Sequence, residues 1–554
     1  MNKRHQKDLS RTGRSVLRLH VLGAAHAVTG SLYLFEYFEK DKVTRFVTDL
    51  GLTVENPQAD MQKRLPSGIN ASDIDFAIIS HAHVDHSAYL PKLIKDGFKG
   101  SVYVTPATRD LMGVILPDSG YLQEEDAKRR QARFEKANNP ALSLTASTSK
   151  SASANPRQGA NNKTAAKTGK SAASAKNGLT TAVNPKFQPL YTQLEAQASL
   201  KFLKTVDYDT RFAVNDAVAF TFTEAGHILG AAVVNLEIGT GSQKRTFCFS
   251  GNIGRPDMPL LRDLQPVAAA DYVMVEATYG NRLHQKRDRF EVLETKLKAA
   301  HARAKKQGKG GSGVILIPAF AVGRAQSVLN DIRVLMEAGR VPTMPVYVDG
   351  RMTQAATEVH RKHAAIMNAE TRAMIEAGID PYTTPNHTVV EDWKASEALH
   401  REHAQPIIIV SSSGMAAGGR IVNHLNYWLA DSKSTVMFVG YQGTGTLGQA
   451  IVRTSAGERP DSVAAPENIA SPKTVRVAGK VVKLNATVDF LPDYSAHADY
   501  GDTVNWLAKF KRRPKGVFIV HGDEEALAGL KGHIETRLDW KGVVIPTNKQ
   551  VFEL

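Results

Sequence analysis

With 554 residues, 42% hydrophobic and 23% charged, the chain has ample apolar material for a packed core and is too long for one small domain. Its one cysteine, Cys248, excludes an intrachain disulfide and a thiolate zinc cluster and fits a reducing cytoplasm; the lack of any apolar run of about 18 residues excludes a transmembrane helix and predicts no membrane partner. The net charge of +15 is concentrated, with six Lys/Arg against one Asp in residues 1–18 and eight Lys/Arg against no acid in 136–186, so it argues for solvated segments as readily as for a nucleic-acid surface.

Residues 1–18 read as a basic tail. The apolar stretch 21–35 is broken by Gly23, Thr29, Gly30 and Ser31 and contains His26, which favours strand, glycine-rich turn and strand over a signal peptide. Strands are predicted at 19–22, 31–38, 44–49 and 75–80, the last delivering His81. Residues 137–186 are rich in Ala, Ser, Thr, Asn and Lys, bury too little to offset their ordering entropy, and read as a disordered insertion within one domain. Strand signals resume at 217–223, 231–238, 246–250 and 272–275. A charged helix is predicted over 289–306, a strand at 314–317, a helix after Arg324, and buried strands at 346–348 and 407–410, an alternation that resembles a parallel α/β unit. The last part reads as a strand at 483–490, a loop at 491–499, a helix near 503–510 and a strand at 516–520 ending at His521.

Chemistry concentrates in the run H-A-H-V-D-H, where His81, His83, Asp85 and His86 lie within six residues. Imidazole and carboxylate are the ligands zinc takes in hydrolytic sites. The i, i+2 spacing after a strand puts His81 and His83 on one side of a loop, while Asp85 and His86 can turn toward a second ion. Further candidates end other strands: Asp49, His227 in E-A-G-H-I-L-G-A, His497 in D-Y-S-A-H-A-D, and His521 after V-F-I-V.

In this order the motifs resemble the β-CASP branch of the metallo-β-lactamase superfamily, which includes the endonuclease that processes eukaryotic pre-mRNA 3′ ends. The resemblance rests on G-A-A-H-A-V-T-G-S (23–31), T-D-L-G (48–51), the H-A-H-V-D-H run, A-G-H-I-L-G (225–230), S-G-N-I-G-R (250–255), E-A-T-Y-G (276–280), P-A-F-A-V-G-R-A-Q (318–326), S-S-S-G-M-A-A-G-G-R (411–420), Y-S-A-H-A-D (494–499) and V-H-G-D-E (520–524). It implies an α/β fold: a metallo-β-lactamase αββα sandwich over 19–282 and 491–554, interrupted by a parallel α/β β-CASP domain at about 283–490. It further implies two Zn2+ per chain, one held by His81, His83 and His227 and the other by Asp85, His86 and His521. Asp49 would orient the ligands and the nucleophilic water. A histidine at position 521 is similar to RNA-acting members, so the expected substrate is RNA and the expected activity a ribonuclease. His497 is the expected general acid, hydrogen-bonded to Glu276. A homodimer is expected by family analogy only.

A position at the expected metal centre departs from the pattern: relatives typically carry an Asp bridging both metals where this chain has Asn252. Three readings stay open, namely tolerance of Asn as a monodentate ligand, a weakened or inactive paralogue that binds RNA, and an engineered knockout. The Gly-rich segment with Ser412, Ser413 and Gly414 precedes a helix predicted to start near Arg420 and suits phosphate binding through backbone N–H groups. Arg255, Arg324 and Arg420 are expected to meet RNA phosphates. V-D-G-R-M (348–352) also departs from relatives, which carry Ser-Pro after the Asp.

Overall fold

The computed structural model describes residues 15–53, 60–61, 64–138, 187–305, 311–443, 445–457 and 473–554; the segment 137–186 read as an insertion and the basic tail lie almost entirely outside the described residues. Strands rich in β-branched and aromatic residues build two seven-stranded sheets. The first runs Val551–Glu553, Val16–Val21, Leu32–Glu39, Lys42–Leu50, Phe76–Ile78, Ser101–Val104, Leu203–Thr205. It is antiparallel up to Lys42–Leu50 and parallel beyond. The second runs Val543–Val544, Gly516–Val520, Tyr272–Glu276, Arg245–Phe249, Ala232–Ile238, Val218–Glu224, Phe212–Ala213.

Alternation along these strands sends Leu17, Leu19, Val21, Phe35, Phe46 and Phe76 to one face, where they meet Phe220, Phe222, Phe247 and Phe249 of the other sheet. Phe35 stacks on Phe46 at 4.9 Å and meets Phe247 edge-on at 5.0 Å across the interface. The outward faces, with Leu34, Val47 and Val102 on one sheet and Val233, Val273 and Ile519 on the other, are covered by helices. The result is an αββα sandwich. The 33-residue helix Pro106–Asn138 covers the first sheet, and Glu524–Arg537 the second.

A third sheet uses only residues 314–490, in the order His387–Val390, Val346–Asp349, Ile407–Ser411, Val314–Pro318, Thr435–Phe438, Thr487–Phe490, and every pairing is parallel. Val314 and Leu316 pack to one side, Ile315 and Ile317 to the other, so both faces are buried. The chain thus has a metallo-β-lactamase fold with an inserted parallel α/β domain.

Several boundaries differ from the sequence reading. The strand expected at 483–490 is two elements, because Lys480–Lys483 turns back on Thr474–Val477 as a hairpin and only Thr487–Phe490 joins the third sheet. The helix expected near 503–510 is Tyr500–Leu507, started three residues earlier by an Asp499/Asp502 capping box. The first strand begins at Val16, inside the stretch read as tail, because Val16 and Leu17 pair with Phe38 and Tyr37, while Glu553 and Phe552 flank Arg18 and Leu19 on the other side. No helix among the described residues is long and apolar enough to cross a membrane.

Candidate metal centre

The site lies where strands of both sheets end. His81 and His83 follow Phe76–Ile78, and His83 precedes the short helix Val84–Ser87, whose first turn carries Asp85 and His86. This change from loop to helix aims the two halves of the run in different directions. The loop is tied down from behind, since Ser31 N–H donates to Asp85 O and Leu52 N–H to Val84 O, each at 3.0 Å. Gly51 lies so close that a Cβ there would sit 1.6 Å from Asp85 O. His227 comes from the turn between Val218–Glu224 and Ala232–Ile238, Asn252 from the end of Arg245–Phe249, and His521 from the end of Gly516–Val520. Asp49 and His521 both have left-handed backbones, with φ of 56° and 55°, a conformation that non-glycine residues hold only where surrounding contacts enforce it. For His521 one such contact is its N–H donating to Ala24 O at 2.7 Å.

Two trios of donor atoms result, each mutually within 4.8 Å. His83 Nδ1 lies 3.2 Å from His81 Nε2 and 3.3 Å from His227 Nε2. In the second trio His86 Nε2 is 3.2 Å from His521 Nε2, and Asp85 Oδ2 is 3.4 Å and 3.3 Å from those nitrogens. A tetrahedral ion with bonds of about 2.0–2.1 Å has ligand–ligand edges of about 3.3 Å. Both trios therefore fit a divalent metal in spacing and donor type. They stand side by side, with the His81 and His86 rings 4.1 Å apart. Asn252 is buried beside them, its Nδ2 3.5 Å from His81 Nε2 and its Oδ1 without a hydrogen-bond partner.

Electrostatics separate the trios. Burial, followed by the neighbouring imidazoles, holds His81 and His227 well below the usual histidine range; burial lowers His83 to about 4. These rings are therefore neutral, the form that donates a lone pair to metal. Burial also disfavours charge at Asp85 and His86, but their mutual attraction prevails. Asp85 is held well below the carboxylate range, and His86, facing Asp85 and Asp49, is raised to about 10. Asp49 is completely buried. Its Oδ2 lies 2.6 Å from His86 Nδ1, and it accepts from Ser80 N–H at 2.7 Å and Ser80 Oγ at 2.9 Å. Such a carboxylate fixes the ring so that Nε2 points to the metal. Ser80 Oγ also lies 3.0 Å from His81 Nδ1, and Thr278 Oγ1 lies 3.1 Å from His521 Nδ1. Ser80 and Thr278 are supporting residues that the motif reading passed over; their adjacency to His81 and Glu276 in sequence was the only available signal.

At the rim, His497 Nδ1 sits 3.0 Å from each oxygen of Glu276. Glu276 is buried, yet His497, His521 and the Thr278 hydroxyl at 2.5 Å offset its desolvation and lower it to about 2; it also accepts from Ile253 N–H at 2.9 Å. The His497 ring lies 4.5 Å from that of His227, and its side chain stays 19% exposed. Arg324 is buried and its Nε makes no hydrogen bond; burial lowers it to about 10. Arg255 is half-buried and donates to Asp493 O at 3.0 Å. Arg420 is engaged otherwise: it donates to Asp349 Oδ1 at 2.5 Å and to the carbonyls of Val390 and Glu391. Ser412 and Ser413 are half-buried, Ser413 Oγ accepts from Ala417 N–H at 3.0 Å, and Gly414 is packed against Phe320.

The family model described as Beta-Casp domain matches residues 325–451, and that described as Zn-dependent metallo-hydrolase RNA specificity domain matches 481–546. The chain is 29% identical over 520 residues to Ribonuclease TTHA0252 of Thermus thermophilus, covering 93% of this chain and 95% of that protein. It is 27% identical to Transcription termination factor FttA of Methanosarcina mazei, over 97% of this chain and 73% of that one. It is also 27% identical to the factor of the same name from Pyrococcus abyssi, over 84% of this chain and 60% of that one. These matches together support a β-CASP protein of the metallo-β-lactamase superfamily. Within that β-CASP frame the first matched stretch lies in the third sheet and its helices, and the second contains both His497 and His521.

Proposed function

We propose that this β-CASP protein is a zinc-dependent ribonuclease that hydrolyses RNA phosphodiester bonds at a two-zinc centre. The observation that carries the reading is the pair of adjacent donor trios with the His497–Glu276 pair at their rim. Bound zinc would supply an activated water near neutral pH and offset charge on the phosphoryl oxygens. His81, His83 and His227 would hold one ion, Asp85, His86 and His521 the other, and Asn252 is the neutral side chain beside His81. Asp49 keeps His86 in the ligating tautomer. Glu276 holds Nδ1 of His497, so Nε2 is the nitrogen left to protonate the departing oxygen. Arg324, a buried cation whose Nε has no hydrogen-bond partner, would meet a phosphate, as would Arg255 and the Ser412–Gly414 backbone. We take residues 283–490 as the inserted domain that covers a polymeric substrate. Names of relatives that include ribonuclease and transcription termination factor support RNA as the substrate class.

Asn252 favours a second reading, an RNA-binding protein of reduced activity, because a neutral amide draws the ions less strongly than a carboxylate. The test is incubation of zinc-loaded protein with end-labelled RNA bearing a 5′-phosphate or a 5′-hydroxyl, beside the Asn252→Asp variant. Metal-dependent cleavage by the wild type is expected, and the ratio between the two RNAs reports 5′-to-3′ exonuclease against endonuclease action. RNA binding that survives chelation, without cleavage by either protein, would favour the second reading.

A further inference from the structure

The two trios differ in charge. Asp85 puts a carboxylate oxygen among the donors of one trio, and Asp49 stands directly behind His86 at 2.6 Å. His521 is backed by the Thr278 hydroxyl, which itself donates to Glu276 Oε2 at 2.5 Å, so a third carboxylate is one hydroxyl away. The other trio has three neutral imidazoles. Of their distal nitrogens only His81 Nδ1 has a partner, the Ser80 hydroxyl; His83 Nε2 and His227 Nδ1 have none. The Asn252 amide beside His81 is neutral, and the His497 ring, held by Glu276, lies 4.5 Å from that of His227. Arg324 adds a smaller repulsion: on His83 the Asp85 carboxylate acts more strongly than Arg324, and on His227 the neighbouring imidazoles act more strongly than Arg324. Phe320 connects them, its ring 6.5 Å from that of His83 and next to Gly440, where Arg324 Nε also lies. Carboxylates hold the rings of one trio; in the other only His81 is reached by one, through Ser80 Oγ, which donates to Asp49 Oδ2, and the rings of His83 and His227 are left to packing.

We infer that the centre fills in sequence: the first divalent ion settles at Asp85, His86 and His521, and the trio of His81, His83 and His227 binds its ion more weakly, only after the first. Charge at a few ångströms in a buried site decides the order, since a carboxylate among the ligands attracts a dication far more than an amide beside them and a nearby guanidinium repels it. The inference rests on the proposed metal centre and makes Asn252 and Arg324 the residues that set the occupancy of the second position. At limiting zinc the protein would hold one ion and stand incomplete.

The test is zinc stoichiometry by native mass spectrometry and competition with a chromophoric chelator, which needs no RNA. For the wild type we expect one zinc retained through dialysis and a second whose Kd is at least about tenfold weaker. Asn252→Asp and Arg324→Gln should each narrow that gap, and His227→Ala should abolish only the weak ion. His521→Ala should abolish the tight one, with circular dichroism checking that each variant is folded. Where His521→Ala fails to fold, X-ray anomalous scattering from wild-type crystals loaded with one equivalent of zinc gives the location directly. Two ions of equal affinity, or the tight ion at His81, His83 and His227, would overturn the inference whatever the cleavage assay shows. The predicted zinc ladder without RNA cleavage at full loading would instead leave it standing and sink the ribonuclease reading.

Discussion

His497 and Glu276 form a buried–exposed pair whose two halves do different work. Glu276 is anchored by Ile253 N–H and Thr278, so the imidazole is held on one side and open on the other. On the proposed reaction, His497→Ala should lower kcat by about a hundredfold or more while zinc content stays unchanged; loss of zinc would make His497 a ligand instead. Glu224 offers a separate readout. It is buried at the foot of the turn that carries His227, where desolvation outweighs the Gly226 N–H and Arg262, 3.3 Å away, and raises it to about 7. Its folded pKa lies above the unfolded value. The stability it confers is therefore full below the ordinary glutamate range and is lost as pH rises through about 7. Urea melts between pH 5 and 8 should show this loss, of at most about 3 kcal/mol, and Glu224→Gln should flatten it.

At the level of elements, the ligand loops are positioned by backbone contact rather than by side chains. Gly51 ends the strand that carries Asp49 and touches Asp85 O; Gly254 crosses the His227 turn so closely that a Cβ would lie 2.0 Å from Gly226 O. Gly51→Ala should therefore displace the Asp85 loop, cost about 1–3 kcal/mol in a melt, and release zinc from Asp85, His86 and His521. The T-D-L-G and S-G-N-I-G-R motifs are legible in sequence, but their glycines are explained only by which loops cross. The Asp499/Asp502 capping box explains why the helix after His497 starts where it does. Asp499 also accepts from His284 N–H at 2.8 Å, fixing the loop between the third sheet and the second.

For the whole molecule, the return from the third sheet is clamped. Arg287 pairs with buried Asp493 at 2.8 and 2.5 Å, and Asp331 accepts from Tyr494 Oη and Arg289 Nε, each at 2.9 Å. This clamp ties Arg287 to Asp493, 206 positions along the chain and just before His497, so the rim of the centre depends on the inserted sheet staying seated. Because the six candidate ligands come from three separate segments, the 81–86 loop, the turn at His227 and the strand end at His521, metal binding would draw the sandwich together. A ligand that binds only the folded state stabilises it by mass action, so excess zinc should raise Tm by a few degrees and EDTA should reverse the gain, measured by calorimetry.

The sequence alone determined the family, the αββα sandwich with its parallel insert, and the residue types available for metal, because short motifs of His, Asp and Gly at fixed spacing carry that chemistry locally. The strands it predicted fall mostly within one or two residues of those observed, since apolar alternation is a local property, but it passed over Ser101–Val104, His387–Val390 and Thr435–Phe438. It misread the hairpin at 474–483, where two short strands share one apolar face with the helices beneath. Only the tertiary structure decided which histidines face one another, that Ser80 and Thr278 brace the ligands, and that Arg420 is tied to Asp349 while Arg324 keeps a buried charge with no bond to its Nε. It also placed Asn252 beside one trio and carboxylates beside the other. Those relations join residues hundreds of positions apart, and the field at a buried site is a sum over such neighbours that no local pattern records.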